Sequence, residues 1–460
     1  MLFLVALFPL LPLHAQSETP VIGLQQSIDA ALANGDDNKV LQGNLDVARA
    51  QHALNVSRNS FTLSGSGGYN FSTNYGPPNY LSSKPSASAG GTSPLGPVAG
   101  LTLAGPLTSV NLSAYPWIAP AGALLDNASS LGLTVSQTLW NGYPGGSTQA
   151  TFDKSLLTLQ GKELATDASR LGIVYSVKQA YYSMLAAQRT LGTKRQILDK
   201  QNALLTQIQA VYDLKLAALV DLKTAQLNAR SAQVDVDSAT HDLRFARIAL
   251  ATLMGMPPDS DFVVAEADDP VIPAATEEEA VSQGVGRRVE IKQVELSLKS
   301  SNIDLAVARG QGTPTLSVSG GASILLDWNG TNGGTVNAGA RVALPILDAG
   351  GVKNQVGGIL RQNDVYVLQE TQLRKSITTA IQNAWDNLAL AREKLELAGL
   401  TADTSALQYK ITNAMHDAGT ASTQDLLTAS VNAATGQTAL ATAESAVQLA
   451  ALQLLSVMGY

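Results

Sequence analysis

MHDAGTASTQDLLTAS (415–430) repeats, 204 residues downstream, the stretch VYDLKLAALVDLKTAQ (211–226). Asp213 aligns with Asp417, Ala217 with Ala421, and Asp221-Leu222-x-Thr224-Ala225 with Asp425-Leu426-x-Thr428-Ala429. The alignment continues without a gap to Met254-Gly255 and Met458-Gly459, with 14 of 46 positions identical. Chance rarely gives that. The chain is a tandem of two related units, and the question is what each unit builds.

Upstream of the first stretch lies a long helical pattern. Val177, Met184, Leu191, Leu198, Leu205 and Tyr212 recur at steps of seven. Downstream, Ala218, Leu222, Ala225, Ala229, Ala232, Val236, Ala239, Leu243, Ala246, Leu250 and Leu253 alternate steps of four and three. That is a heptad seam whose many alanines let helix backbones approach closely. The pattern predicts helix over 146–256 with a break near 213–220, each long arm reaching roughly 100 Å at 1.5 Å per residue. The second unit repeats the seam through Ile377, Ile381, Ala384, Leu388, Leu395 and Ala402, then Leu426, Ala429, Ala433, Leu440 and Leu454.

Ahead of each helical pair the period changes from seven to two. In SFTLSGSGGYNFSTNY (60–75), Phe61, Leu63, Tyr69 and Phe71 share one face and Ser64, Ser66 and Asn70 the other. SSLGLTVSQTLW (129–140), TPTLSVSGGASILLDW (313–328) and TVNAGARVALPIL (335–347) alternate in the same way. Such alternation marks a strand with one apolar and one polar face. Four strands per chain are predicted, with a short turn at Asn329–Gly334 between the last two. Residues 76–128, rich in Gly, Pro and Ser, read as a long loop between the first two strands. Helices are expected over 24–58, broken at Asn34-Gly35-Asp36-Asp37, and from a capping box at Thr276–Glu279 to Arg309, with a break at Gly284–Gly286. The resulting division is a secretory signal over 1–15, a first repeat over 16–256, a Pro- and Asp-rich linker over 257–275, and a second repeat over 276–460.

The signal assignment rests on the opening MLFLVALFPLLPLHAQSETP, an apolar run too short to span a bilayer as a helix. Beyond it no 18-residue apolar run stands out, so helical membrane spans are not expected. Of the 460 residues 45% are hydrophobic and only 15% charged, with a net charge of −7 and pI near 5.2. An acidic chain without a basic run gives no reason to expect nucleic acid as a partner. With no cysteine there is no disulfide framework and no thiolate metal site.

Helix, two strands, two very long helices, and all of it twice: in this order the chain resembles the TolC-like outer membrane efflux proteins. The resemblance covers essentially the whole mature chain. It rests on the strand ends QTLWNG (137–142) and LPILDAGG (344–351), similar to that family's turn from strand into helix. It rests equally on HDAGTASTQDLLTA (416–429), similar to its helix-tip turn, and on ATLMG (251–255) and LSVMG (455–459), similar to its repeat-closing segment. The first tip departs from the pattern, with Lys215 where a glycine is expected, the position Gly419 fills in the second. The resemblance implies a mixed fold of membrane β-barrel and α-helical barrel, with four strands and long coiled-coil helices per chain. A trimer then forms a 12-stranded barrel in the outer membrane and a helical tube in the periplasm. Physics agrees that four amphipathic strands cannot close a barrel alone, and open edges do not survive in lipid. Two copies give an eight-stranded barrel that side chains fill, whereas three leave a pore. The implied function is the exit channel of a tripartite efflux or type I secretion system. Its implied partners are a periplasmic adaptor, an inner-membrane pump and outer membrane lipid, with no cofactor. On this reading residues 76–128 face the cell exterior.

Several residues stand out as candidates. Asp221 and Asp425, with Lys215 and Gly419 beside them, fall where the family narrows its tunnel. The plain alternative is local, because Ser422-x-x-Asp425 is itself a capping box, although Ala218 weakens that explanation for Asp221. Arg341 sits on a polar strand face, expected to be lumenal. Tyr69, Phe71, Tyr75, Trp140, Tyr143 and Trp328 near strand ends suit an interfacial girdle, with ordinary hairpin packing as the alternative. No catalytic pattern emerges. His14 falls in the signal, and His52, His241 and His416 are far apart, with no nucleophile elbow, phosphate loop or dinucleotide fingerprint. A secreted trimeric coiled-coil or adhesin remains the other reading. Against it stands the division of the strands between two repeats.

Overall fold

The computed structural model describes residues 20–70, 96–115, 128–215, 217–327 and 333–460. The signal stretch 1–15 and the girdle candidates Phe71, Tyr75 and Trp328 lie outside these residues, and of Tyr69 only the backbone is described. In chain order the first repeat contains β1 (Val21–Ile22), α1 (Leu24–Asn34), α2 (Asp36–Arg58), β2 (Thr62–Asn70), β3 (Gly96–Ala104), β4 (Thr108–Tyr115), β5 (Ala128–Trp140), α3 (Gly146–Asp213) and α4 (Leu219–Leu253). Then follow β6 (Val263–Val264), α5 (Glu277–Arg287), α6 (Val289–Gly310), β7 (Thr315–Asp327), β8 (Gly333–Ala343), α7 (Gly351–Asp417) and α8 (Thr423–Val457). The returning arms α4 and α8 are each 35 residues long and keep the 204-residue offset at both ends.

The residues fall into two units, Met1–Gly43 with Ala165–Val289 and Leu373–Tyr460, and Asn44–Leu164 with Glu290–Gln372. The first is helical, and its seams are those of the heptads. Leu222, Ala225, Ala229, Ala232, Val236 and Ala239 of α4 are buried, as are Ile377, Ile381, Ala384 and Leu388 of α7. Its largest core gathers Ile28, Val177, Tyr181, Met184, Leu185, Leu250, Met254, Phe262 and Leu452. The expected linker 257–275 is part of this core rather than a spacer. Phe262 is fully buried, and β6 pairs in parallel with β1 through Val21↔Val263 and Ile22↔Val264. Arg247 pairs with Asp261 and Arg189 with Glu266, fastening both sides of that strap. Proline and aspartate content marked it as irregular but could not show that its one aromatic residue fills a cavity.

Two helix boundaries differ from expectation. The α5–α6 break falls at Arg288, not at Gly284–Gly286, because Gly284 is buried, its α-carbon facing Ile381 and the backbone of Met458. Glycine there serves close approach rather than chain reversal. Thr276 accepts from the Glu279 amide, while the Glu279 carboxylate reaches back to the Ala275 amide. Contrary to the expected absence of a long apolar run, α8 is long and apolar enough to cross a bilayer by composition, with mean hydropathy 1.3 over one window. Alanine and leucine without charge give that value. Leu426, Leu427 and Leu452 of α8 are buried in the protein core, although most of its apolar stretch is not.

The second unit carries the sheet. Six strands are found where alternation predicts four, in the order β2-β3-β4-β5-β7-β8, every neighbour antiparallel. Residues 96–104 and 108–115, read as loop from their Gly, Pro and Ser content, form a hairpin inserted between β2 and β5. Their alternation is genuine but diluted: Leu101 and Leu103 answer Leu112 and Val110 across the pair. Strand β8 stops at Ala343 rather than Leu347, since Pro345 has no N–H to donate to a ladder.

Candidate functional site

The two hairpin tips share one turn geometry. Lys215 and Gly419, 204 residues apart, both have left-handed backbones, with φ of 62° and 72°. Lys215 N–H donates to Tyr212 O at 2.8 Å, and Gly419 N–H donates to His416 O at 2.9 Å. The Gln209 side-chain amide donates to Asp213 Oδ1 as that of Asn413 donates to Asp417 Oδ2. Lysine therefore occupies a glycine conformation, which costs an L-residue roughly 1–2 kcal/mol. Lys215→Gly is expected to steady the first tip by up to about 1 kcal/mol, less the chain entropy that glycine adds when unfolded. Gly419→Ala should weaken the second tip by about 1–2 kcal/mol through its backbone alone, because open space surrounds its α-carbon. Hydrogen exchange of amides 211–222 and 415–426 reads both effects.

Asp221 and Asp425 each sit at the third position of a returning helix, and their bonds are to their own caps. Asp425 Oδ2 accepts from the Ser422 hydroxyl at 2.6 Å and from its amide at 3.1 Å, while the Asp425 amide donates to Ser422 Oγ. These bonds, the hydroxyl foremost, hold the Asp425 carboxyl below its ordinary range. A depressed folded pKa means the cap is fully formed above the ordinary carboxylate pKa, near 4, and is lost as pH falls through the lower folded value. Acidification below about pH 4 is thus expected to lower the protection of amides 422–425, relative to their intrinsic exchange rates, more in the native chain than in Ser422→Ala. Asp221 has only the weaker half of that arrangement, accepting from the Ala218 amide at 3.3 Å. Lys223 donates to Gln226, on the next turn of its own helix.

Behind the tips Leu204, Ile208, Leu222, Ala225, Leu426 and Leu427 form one core cluster, so the two hairpins pack together there. A buried hydrogen bond crosses the cluster's edge: Gln201 Nε2 donates to Ser430 Oγ at 3.3 Å, and Ser430 Oγ donates to Leu427 O. Neither residue belongs to a recognisable motif. Their signal was two polar side chains on a heptad seam, visible only once the facing helix is known.

On the sheet, the register sorts every strand onto two faces. One row runs Leu63, Leu103, Val110, Val135, Gly320, Ala338; the next runs Gly65, Leu101, Leu112, Leu133, Ala322, Val336. On the opposite face stand Ser64, Thr102, Asn111, Thr134, Gly321 and Asn337. The apolar face is exposed, with Leu63, Leu101, Leu133 and Val336 uncovered. Arg341 lies on the polar face, in one row with Ser317 and Thr138. Of the girdle candidates, Trp140 is exposed at the strand end, its indole N–H donating to Thr313 Oγ1 at 3.2 Å. Tyr143 turns onto α3, donating to Asp153 Oδ2 at 2.9 Å, and partial burial with that carboxylate raises its phenol pKa.

Each long helix is started by a specific device where the sheet ends. Asp348 accepts from the Val352 and Gly350 amides at 2.9 and 3.0 Å, which lowers its pKa and opens α7. In the first repeat Gly142 turns with φ of +90° directly against Gly310, backbone to backbone.

The family model described as outer membrane efflux protein matches residues 102–256 and 280–460. Among characterised relatives, the probable efflux pump outer membrane protein TtgC of Pseudomonas putida is 25% identical over 261 residues, 55% of this chain and 52% of that protein. The match thus spans about half the length of that relative. Nodulation protein T of Rhizobium leguminosarum bv. trifolii is 22% identical over 287 residues, 61% of each chain. In fold, the crystal structure of CusC superposes with a TM-score of 0.71 at 17% identity, covering 97% of this chain and 95% of that one. The outer membrane protein VceC from Vibrio cholerae gives 0.69 at 18%, covering 95% and 96%. With a doubled helical hairpin, a two-faced sheet and a family match over both repeats, this chain belongs to the outer membrane efflux protein family.

Proposed function

We propose that the chain is the outer membrane exit channel of a tripartite efflux or type I secretion system. Three copies join their sheets into a barrel in the outer membrane, and their helical hairpins form a tube in the periplasm. Solutes from an inner-membrane pump, coupled through a periplasmic adaptor, leave through it. The observation that carries this reading is the sheet, exposed and apolar on one face and hydroxyl- and amide-lined on the other. A sheet of that kind suits lipid outside and water inside. Arg341 falls on the water side, where it avoids the roughly 2–4 kcal/mol that a lipid-facing arginine costs at mid-bilayer. A secreted adhesin or coiled-coil protein has no use for sheet strands drawn from both repeats.

Detergent-extracted protein should cross-link to trimers and co-purify with its adaptor and pump; monomers alone would refute the reading. At the tips, Asp221 and Asp425 of three copies place six carboxylates about one axis, and like charges that close repel unless cations or basic partners screen them. The aperture is therefore weakly latched and cation-preferring. Single-channel recording of Asp221→Asn with Asp425→Asn should show a reduced preference for cations. An unchanged preference would leave both carboxylates as helix caps only.

A further inference from the structure

We propose that the helical unit carries a binding site for small organic oxyanions, carboxylates or phosphate esters with an apolar body. The site is a cleft between α3, α4 and the 257–275 strap, with a volume of about 500 Å³. Sites for small molecules typically measure about 300–1,000 Å³. The cleft lies apart from the hairpin tips and from the sheet, and the exit-channel reading does not require it.

Helical spacing builds the cleft. On α4, Thr240, Arg244 and Arg247 stand at steps of four and three and so share one face, with Leu243 and Ile248 beside them. From α3, Leu191 and Arg195 complete the facing wall, one turn apart. The third wall is the turn 258–260 of the strap, where the Ser260 amide donates to Pro257 O at 3.0 Å. That bond fixes the turn against the two helices.

Three guanidinium groups thus line one cleft of a chain whose net charge is −7. Arg247 pairs with Asp261, yet its Nε is buried without an acceptor among the described residues. Arg195 and Arg244 form no ion pair among the described residues, and neither does Asp259, which also lines the cleft. By contrast Lys194, next to Arg195, pairs with Asp235 at 2.9 Å, and Arg189 pairs with Glu266. Counting Asp259 and Asp261, the cleft keeps a net charge of +1. Like charges gathered in this way repel unless an anion stands between them. Guanidinium stays charged at any physiological pH, and its fork meets two oxygens of a carboxylate or phosphate at once. The Ser260 hydroxyl, which makes no hydrogen bond among the described residues, adds a neutral donor.

The apolar half of the ligand follows from the rest of the wall. Leu191, Leu243, Ile248 and Pro258 place hydrocarbon between and beneath the charged groups. A bare inorganic anion leaves that surface uncovered. An aromatic ring or short chain carried by the anion covers it, tightening binding roughly fourfold for each methylene-sized group buried. Oxyanion head and apolar body are thus recognised by separate parts of one cleft.

Calorimetric titration of the detergent-extracted trimer, with phenyl phosphate and separately with inorganic phosphate, tests the site. Phenyl phosphate should bind saturably, once per chain, and about tenfold or more tighter than inorganic phosphate. Arg195→Gln and Arg244→Gln should each weaken it about tenfold, with Arg244→Lys between Arg244→Gln and the native chain. Raising the salt from about 0.05 to about 0.5 M should weaken native binding as the charges are screened. Both arginines are exposed, so neither glutamine variant should melt below the native protein. Arg230→Gln, which removes an exposed arginine elsewhere on α4, should bind as the native chain does. Absence of saturable binding would overturn the inference, as would equal affinity for the two anions. Affinity untouched by Arg195→Gln and Arg244→Gln, or lowered as much by Arg230→Gln, would overturn it equally.

Discussion

Gly310→Ala is expected to abolish accumulation of folded protein, with Gly142→Ala nearly as severe. A Cβ at position 310 would overlap the carbonyl group of Gly142, and one at 142 would stand 2.7 Å from Gly310 Cα. Both obstacles are backbone, which cannot rotate aside as a flexible side chain can. Overpacking costs about 1–3 kcal/mol where neighbours yield, and these do not. At Gly142 the left-handed φ of +90° adds a further penalty of about 1–2 kcal/mol. Against a typical stability of about 5–15 kcal/mol, the loss falls at the point where α6 turns into β7 and β5 turns towards α3. Gly312→Ala provides the control, since its Cβ would make only ordinary contacts, with a Val352 methyl at 3.5 Å and Arg309 O at 3.6 Å. Thermal melting and the yield of oligomer in detergent should separate the variants clearly. Equal melting of Gly310→Ala and Gly312→Ala would show that the close approach is dispensable.

Tyr181→Ala should cost about 3–5 kcal/mol, as expected when a buried aromatic residue is truncated. The side chain is fully buried in the first unit's core, and its hydroxyl donates to Ala265 O at 2.8 Å, with Ile22 O at 3.2 Å. Those carbonyls flank the β1–β6 pair, so one phenol ties the N-terminal strand and the 257–275 strap to α3. Tyr181→Phe keeps the ring and removes the tie, and should cost about 1–3 kcal/mol because buried carbonyls lose their donor. Burial raises the Tyr181 pKa. The neutral form is therefore favoured by folding, and its stabilisation is complete below the unfolded value, near 10, then lost as pH rises through the higher folded value. The melting temperature should fall less steeply above pH 10 in Tyr181→Phe than in the native chain. Limited proteolysis within 257–275 would reveal whether the strap is released in Tyr181→Phe.

The sequence by itself determined whatever depends on local periodicity. The 204-residue doubling fixed two hairpins whose returning arms begin and end at equivalent residues. Heptad spacing identified Leu222, Ala225 and Ile381 as buried before any partner helix was known, because one stripe of a helix must face its neighbour. Ser422 and Asp425 declared a helix start because both partners of the cap lie within three residues. Likewise, strict alternation placed Arg341 on the polar side of β8.

Only the tertiary structure decided what depends on residues distant in the chain. Strands β3 and β4 sit in a stretch whose glycines, prolines and serines outweigh its alternating Leu101, Leu103, Val110 and Leu112. Pairing with β2 and β5 supplies the ladder bonds that local propensity does not. Gly142 and Gly310 lie 168 residues apart, and neither shows in its own neighbourhood that backbone will touch backbone. Phe262 is the one aromatic residue of the Pro- and Asp-rich stretch 257–275, and only the fold brings Tyr181, Met184 and Leu250 around it. Lys215 broke the expected glycine pattern, yet it adopts the same left-handed turn as Gly419. The packed arms on either side fix where the chain must reverse, and that constraint outweighs the strain of one residue.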